Sequence, residues 1–239
     1  MTSDAPAGAR LAVFDVDGTL TATNAVDDDC FCRAMSTALG VEIPDVNFAA
    51  AVHATDSYIT RALCERHLGR APTAADLDRL TSCFVAELTD ELGRAPERFA
   101  PIPGAPGLFD ALRAKGWSIA IATGGWGPSA RLKLAAAGLD DPELVLACAG
   151  DALTRPEIVR RAIDRAVARA GHGFARTVSI GDRPWDAWTA AALGLPFVGV
   201  GVGRKEDEMR AAGAAIVLPD LRDREQVCTA LETASSPGA

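Results

Sequence analysis

Short apolar runs alternate with amphipathic stretches along the C-terminal part of the chain, and this alternation predicts a parallel sheet flanked by helices. A first apolar run, at residues 11–14, has the length of one buried strand. The other predicted strands are residues 117–122, 144–147, 176–180, 197–201 and 214–218. The helices predicted between them are residues 107–115, 131–137, 156–170, 185–193 and 209–212.

Residues 22–100, after the first strand, read as all-helical. Apolar residues recur at helical spacing from Leu77 to Leu92. Helices are predicted over residues 24–39, 46–54, 57–68 and 74–92, and a proline-rich linker over 96–106. We therefore expect an α/β fold, a Rossmann-like doubly wound parallel sheet, formed by residues 1–21 and 101–239. Residues 22–100 form an inserted all-helical subdomain in this prediction.

The first predicted strand ends in two carboxylates, Asp15 and Asp17, which are followed by Gly18 and Thr19. Alternate residues of an extended chain point to the same side, so both carboxylates are expected to face one pocket. Burial and mutual repulsion oppose the ionisation of such a pair. A metal ion or a phosphoryl-transfer site would account for their position.

The composition is that of an ordinary globular protein, and it narrows the choice of partner. Of the 239 residues, 49% are hydrophobic and 23% charged, which suits one sizeable core with a subdomain. The net charge of −8 disfavours nucleic acid or an anionic membrane as the main partner. No apolar stretch reaches transmembrane length and no signal-peptide pattern opens the chain, so a cytoplasmic location is expected. The six cysteines contain no paired C-x-x-C sets, which leaves a zinc site unsupported.

Polar or small residues follow four of the predicted strands. They are Asp15 with Asp17, Thr123 with Gly124 and Gly125, Asp151 with Arg155, and Asp182 with Asp186. Ligands of open parallel sheets bind at the carboxyl ends of the strands, so these residues are expected to share one pocket.

Three of these segments resemble motifs of the haloacid dehalogenase superfamily, in the order of that family. Asp15-Val16-Asp17-Gly18-Thr19-Leu20 is similar to the first motif, and Thr123 fits the second. Gly181-Asp182-Arg183-Pro184-Trp185-Asp186 fits the fourth, which has the form G-D-x-x-x-D. The resemblance implies the phosphatase-like branch of the family, in which a helical cap is inserted after the first motif.

The resemblance also implies roles for these residues, and their chemistry agrees. Asp15 is the expected nucleophile, which forms an aspartyl-phosphate, and Asp17 the expected general acid and base. Mg²⁺ suits an all-oxygen site whose expected ligands are the Asp15 side chain, the Asp17 backbone carbonyl and Asp182. Asp186 is expected to bind the metal through water or to orient its neighbours. Thr123 and Arg155 complete the expected catalytic set, and the expected substrate-binding residues are Gly18, Thr123, Gly124 and Arg155.

The third motif departs from the family pattern, which usually has a lysine before a proline. This chain has Thr154-Arg155-Pro156-Glu157 instead. Arg155 is the expected substitute, because a guanidinium binds a carboxylate and a phosphate together. The alternative is an exposed arginine at the start of a helix.

Members of the family catalyse several reactions, and the sequence separates some of them. Asp17 disfavours the dehalogenases, which lack the second aspartate and the metal. Residues 22–100 contain no lysine, which disfavours the phosphonate-cleaving members that use a cap lysine. The expected function is Mg²⁺-dependent hydrolysis of a small phosphomonoester metabolite. A sugar phosphomutase, and a non-catalytic member that binds a phosphorylated metabolite or a protein, are the alternatives.

The cap is expected to close over the active site and to select the leaving group. The acidic run Asp27-Asp28-Asp29 suits the first turn of a solvated helix. Trp126 is expected either to line the entrance or to pack against the helix that follows it. Candidate selecting residues are Asn24, Asp27, His53, Asp56, Tyr58 and Arg61.

Overall fold

The computed structural model describes residues 6, 8–43 and 53–238. In this part of the chain, six strands form one parallel sheet in the order β3-β2-β1-β4-β5-β6. They are β1 Arg10–Phe14, β2 Trp117–Ala122, β3 Val145–Ala147, β4 Arg176–Gly181, β5 Phe197–Val200 and β6 Ile216–Leu218. The predicted doubly wound α/β sheet is confirmed, with β1 at its centre.

The described part of the insertion between β1 and β2 contains three helices: α1 Asn24–Leu39, α2 Asp56–Leu68 and α3 Ala74–Arg94. The helix predicted over 46–54 falls mostly on residues 44–52, outside the described residues, and the two that are described, 53 and 54, are not helical. A short 3₁₀ turn at Pro96–Phe99 occupies part of the predicted linker. The helices that follow are α4 Leu108–Ala114, α5 Gly127–Ala136, α6 Arg155–Ala170, α7 Pro184–Leu193, α8 Arg204–Ala211 and α9 Arg224–Thr233. Helix α9 lies in a stretch for which the sequence pattern predicted no helix.

Strand β1 is buried on both faces of the sheet, which explains its unbroken apolar sequence. Ala12 and Phe14 pack into a cluster that includes residues of α4, α5 and α9. Leu11 and Val13 point the other way and pack against α6. All four side chains are at most 1% exposed. The strand is therefore held rigidly, and the loop after it starts from a fixed point.

The helical insertion has a hydrophobic cluster of its own, to which the sheet domain contributes a tryptophan. Phe31 of α1 and Phe84 of α3 each place their ring centroid 6.0 Å from that of Trp126, which precedes α5. Trp126 is 4% exposed, so it packs against helices of the insertion instead of lining an entrance. None of the helices in the described residues is long and apolar enough to span a bilayer.

Candidate active site

The parallel register brings the predicted catalytic residues to one edge of the sheet. Phe14, the last residue of β1, pairs with residues of β2 and β4 that lie two positions before Thr123 and Asp182. Asp15 follows Phe14 directly, and its N–H donates to the carbonyl of Ile180 at 2.9 Å. Strand order also reverses at β1, the point where open α/β sheets form their binding crevice.

Asp15, Asp182 and Asp186 form a buried carboxylate cluster at this edge. One carboxylate oxygen from each lies within 4.8 Å of the other two. Arg155 crosses the cluster, with Nη1 2.7 Å from Asp186 Oδ1 and 3.4 Å from Asp15 Oδ1. Only 13% of the Arg155 side chain is exposed, so the alternative of an exposed arginine at the helix start is wrong. The arginine supplies positive charge inside the cluster.

The cluster strongly perturbs the ionisation of its members. Burial, and then repulsion by the Asp186 carboxylate, raise the pKa of Asp15 well above its ordinary value, against the opposing charge of Arg155. Burial raises the pKa of Asp186 to about 6, although the Arg155 guanidinium opposes the shift. Such crowding of carboxylates is typical of catalytic and metal-binding sites.

Asp17 is held by a separate network that reaches into the insertion. Its Oδ1 accepts a hydrogen bond from the Thr23 hydroxyl at 2.5 Å, and its Oδ2 lies 2.7 Å from Nζ of Lys133. Lys133 is fully buried and also pairs with Asp27 Oδ1 at 2.5 Å. Burial alone lowers the pKa of Lys133, but the carboxylates of Asp17 and Asp27 outweigh burial and raise it above its ordinary value. One ammonium therefore joins the loop after β1 to the first turn of α1.

Asp182 has the surroundings of a cation ligand. Its Oδ2 accepts from Nζ of Lys205 at 2.5 Å and from Nδ2 of Asn24 at 3.2 Å. Its Oδ1 is buried and has no hydrogen-bond partner within the described residues. An unpartnered buried carboxylate oxygen, set among the oxygens of Asp15 and Asp186, fits the hard-oxygen preference of Mg²⁺. The residues present therefore suit a divalent cation.

The loop after β2 provides a hydroxyl and open backbone beside the nucleophile. The buried Thr123 hydroxyl accepts from the N–H of Gly125 at 3.1 Å. A Cβ at Gly124 would collide with the backbone oxygen of Ala54 and approach the Arg155 guanidinium, so glycine is needed there. Gly18 has φ +84°, and a Cβ there would collide with the Asp182 carboxylate. Gly18 thus lets its loop pass against Asp182, but it does not line the cavity.

These groups lie at the bottom of a cavity of about 190 Å³ between the sheet edge and the insertion. Its floor includes Asp15, Asp17, Thr123, Arg155 and Asp182, and its opposite wall is formed by Asn24, Asp27, Asp28, Phe31, Asp56 and Ile59. Three of the candidate selecting residues therefore line it. The other three do not: the His53 ring contacts that of Tyr58, and Arg61 pairs with Glu65 at 2.9 Å.

Asp151, also expected in the pocket, lies outside it. Its carboxylate pairs with Arg165 at 2.6 Å and accepts from the N–H of Cys148 at 2.9 Å. Both contacts turn the side chain toward α6 and the loop after β3, and away from the cavity. The prediction that Asp151 shares the pocket is therefore wrong.

The start of α2 is joined to the loops of the sheet domain by hydrogen bonds that close the cavity. The N–H of Asp56 donates to the Gly124 carbonyl at 2.8 Å, and Asp56 Oδ2 accepts from the N–H of Trp126 at 2.8 Å. The Thr55 hydroxyl donates to the Leu153 carbonyl at 2.8 Å, and the Ser57 hydroxyl to that of Ala149 at 2.7 Å. We call these four bonds the α2 latch.

Residues 9–194 match the haloacid dehalogenase-like hydrolase family. The chain belongs to this family. The helical insertion between β1 and β2 is called the cap from here on.

Relatives of this haloacid dehalogenase-like hydrolase include proteins named phosphoglycolate phosphatase. That of Caulobacter vibrioides is 28% identical over 228 residues, covering 95% of this chain and 93% of that protein. That of Rhodospirillum rubrum is 27% identical over 218 residues, covering 89% and 88%. A hydrolase structure from Pseudomonas syringae, 22% identical, has a TM-score of 0.65 and covers 94% of this chain and 99% of that one. The structural likeness concerns the fold.

Two lysines of the site were missed from the sequence, although both left a partial signal there. Lys133 stands on the face of α5 that also buries Ser129 and Ala130, which lie four and three residues earlier. A lysine on a buried helical face needs a partner, and this signal was available. Lys205 stands in a strongly charged helix, so its contact with Asp182 depends on tertiary structure alone.

Proposed function

We propose that this haloacid dehalogenase-like hydrolase is an Mg²⁺-dependent phosphatase that hydrolyses a small phosphomonoester through an aspartyl-phosphate on Asp15. One observation carries the proposal. The Asp15 carboxylate lines a cavity together with Asp17, and one oxygen each of Asp15, Asp182 and Asp186 lies within 4.8 Å of the other two, a grouping that could hold a metal ion. Domain boundaries at about residues 21 and 100 follow from the same proposal, since the cap lies between β1 and β2.

Two proton transfers by Asp17 complete the proposed reaction. An oxygen of Asp15 attacks phosphorus, the bond to the leaving oxygen breaks, and Asp17 donates a proton to that oxygen. Water then attacks the phosphorus of the aspartyl-phosphate, Asp17 takes the proton of this water, and Asp15 leaves as a carboxylate. Thr23 and Lys133 hold both oxygens of Asp17, which fixes its orientation toward the cavity.

The remaining groups stabilise charge. A bound Mg²⁺, held by Asp15, Asp182 and the backbone carbonyl of Asp17, supplies neutralisation of the phosphate charge. Arg155 offsets the carboxylate cluster from the other side, and Asp186 orients Arg155 and the N–H groups of residues 182 and 183. Thr123 and the amides of Gly124 and Gly125 form the proposed phosphate-binding loop.

The substrate class is proposed from the cavity and the relatives. A volume of about 190 Å³ is smaller than the roughly 300–1,000 Å³ of pockets for drug-sized ligands, which favours a compact ester. The names of the relatives make phosphoglycolate the first compound to test. All six cysteines are free, which supports a reducing compartment and hence the cytosol.

The test uses p-nitrophenyl phosphate, purified protein and Mg²⁺. We expect phosphate release that stops with EDTA, returns with added Mg²⁺ and is abolished by Asp15→Asn. Asp164→Asn, which removes an exposed carboxylate from α6, is the matched control and should keep full activity. Turnover that survives Asp15→Asn contradicts the mechanism. Isomerisation of a sugar phosphate without phosphate release would favour the mutase alternative.

A further inference from the structure

The two walls of the cavity differ sharply in charge. Asp27, Asp28 and Asp56 line the cap wall together with Asn24, and in the described residues no lysine, arginine or histidine of the cap lines it. Residues 44–52, which lie outside the described part, contain no basic residue in their sequence. The cap therefore offers a leaving group several carboxylates and no positive charge.

Three arginines of the cap and the turn that follows it pair with carboxylates away from the cavity. Arg33 pairs with Glu87 at 2.6 Å, and Arg70 pairs with Asp76 at 2.6 Å. Arg98 pairs with Glu91 at 2.5 Å. These pairs stay within the insertion and the 3₁₀ turn that follows it. They leave the carboxylates of the cavity uncompensated from the cap side.

The three cap carboxylates are not equivalent. Asp27 is paired with Lys133, and Asp56 accepts the N–H of Trp126. The Asp28 side chain has no hydrogen bond or ion pair within the described residues. Asp28 is solvent-exposed at the cavity; partial desolvation there, and then repulsion by Asp17, raise its pKa to about 6, partly offset by Arg183. Negative surroundings of this kind favour a positively charged ligand.

Two arginines on the sheet wall could offset the negative charge of the cap wall. Arg155 is already bound to Asp186, Asp15 and the Ala54 carbonyl. Arg183 stacks over the ring of Trp185 at 5.6 Å and has Nε 3.4 Å from Asp182 Oδ2. Arg183 is therefore the group that a carboxylated leaving group would have to use, and the test includes it.

We propose, on the basis of the phosphatase function above, that the cap wall selects a positively charged leaving group and that Asp28 is its specificity-determining residue. The substrate class is then an aminoalkyl phosphate, in which an ammonium lies a few bonds from the ester oxygen. Asp56 lies on the same wall and, at the pH 8 of the test, adds to the negative potential there. A carboxylated ester such as phosphoglycolate meets repulsion from the same residues.

Three esters with a two-carbon skeleton test the proposal: 2-aminoethyl phosphate, 2-hydroxyethyl phosphate and phosphoglycolate. They differ at the far end, which carries an ammonium, a hydroxyl or a carboxylate. At pH 8, kcat/KM is expected to fall about tenfold at each step in that order, as one unit of charge at close range implies. A value for phosphoglycolate equal to or above that for the aminoethyl ester overturns the proposal, as does failure to hydrolyse the aminoethyl ester.

Variants assign the effect to a residue. Asp28→Asn is expected to reduce the ratio of the aminoethyl to the phosphoglycolate value about tenfold, and Asp28→Lys to invert the preference. Asp29→Asn, the matched control, removes the same charge one residue away, where Asp29 pairs with Arg98 outside the cavity. An unchanged ratio in Asp28→Asn, or an equal change in Asp29→Asn, overturns the role of Asp28.

A last variant examines the sheet wall. Arg183→Gln is expected to raise the preference for the aminoethyl ester, because it removes a positive charge from the cavity. A preference for phosphoglycolate that depends on Arg183 contradicts the proposal. Activity on p-nitrophenyl phosphate separates the two levels. If the protein hydrolyses p-nitrophenyl phosphate but prefers the carboxylated ester, the phosphatase function stands and the inference on the substrate is wrong. If it is inactive on every ester, the phosphatase function itself is wrong.

Discussion

The floor of the cavity and its cap wall are both acidic, but their carboxylates are held in different ways. Asp15 on the floor shares the guanidinium of Arg155 with Asp186; the rigid end of β1 fixes Asp15, and the first turn of α7 fixes Asp186. On the cap wall, Asp28 has no partner among the described side chains and stands in the first turns of α1. Charges held by strand ends suit chemistry, whereas charges presented by an insertion suit the selection of a ligand.

The largest loss of activity is expected from a substitution on the floor of the cavity, Asp17→Asn. Loss of a general acid and base should lower kcat for an alkyl phosphate about 10²–10⁴-fold. The release of p-nitrophenol in a single turnover should suffer much less, because that leaving group needs no proton. Rapid-quench measurements on both esters check the difference. Equal losses for both would assign Asp17 a role other than proton donation.

Next in size is the charge network between floor and cap. Lys133→Met leaves the partly buried carboxylates of Asp17 and Asp27 without their ammonium, and should lower the free energy of unfolding by about 3 kcal/mol. Chemical denaturation measures this loss. Lys115→Met, at an exposed position, is the control and should change stability by about 0.5 kcal/mol or less. A loss as small as that of the control would mean that the network is solvated.

The α2 latch should show a smaller effect. Thr55→Ala removes one hydrogen bond between cap and sheet domain, and Ser57→Ala removes two, since Ser57 Oγ also accepts from Nε1 of Trp126; each bond is worth about 1 kcal/mol. If the closed cap is the active form, each should reduce kcat/KM several-fold. Ser82→Ala removes a bond of the same kind within α3, far from that boundary, and should leave kcat/KM unchanged. Equal values for all three variants would exclude the latch from catalysis.

A last effect concerns Asp56 and pH. Burial raises the pKa of Asp56 from 3.8 to about 7, so the folded protein keeps a proton there that the unfolded chain has released. The contribution of protonated Asp56 to the stability of the folded state is fully present below pH 3.8 and is lost as the pH rises toward 7. Asp56→Asn should therefore flatten the pH dependence of the melting temperature between these values. A curve that stays parallel to that of the unaltered protein contradicts the shift.

The same contrast explains what the sequence could reveal. The floor was predictable, because Asp15, Thr123 and Asp182 each follow a strand whose apolar run is visible, and parallel strands end at one edge. The cap wall was not, since Asp28 differs from Asp29 only in the direction that α1 gives it. Helix α9 was missed because Arg224–Thr233 mixes charged residues with few large apolar ones. Lys133 is an intermediate case: its helix could be predicted from the sequence, but its pairing with Asp17 and Asp27 could not.

Lys133 has a consequence for how cap movement and chemistry depend on each other. Its helix belongs to the sheet domain, yet its ammonium pairs with Asp17 beside the nucleophile and with Asp27 at the start of α1. Movement of α1 away from the sheet would separate Asp27 from the buried Lys133. Of the two carboxylates, Asp17 alone would then pair with the lysine. Cap position and the state of the proton donor are thus thermodynamically linked, and linkage acts in both directions. A ligand that moves α1 toward the sheet brings Asp27 to Lys133 and thereby changes how strongly Lys133 pairs with Asp17. Conversely, a substitution at Asp17 shifts the equilibrium between the open and closed positions of the cap.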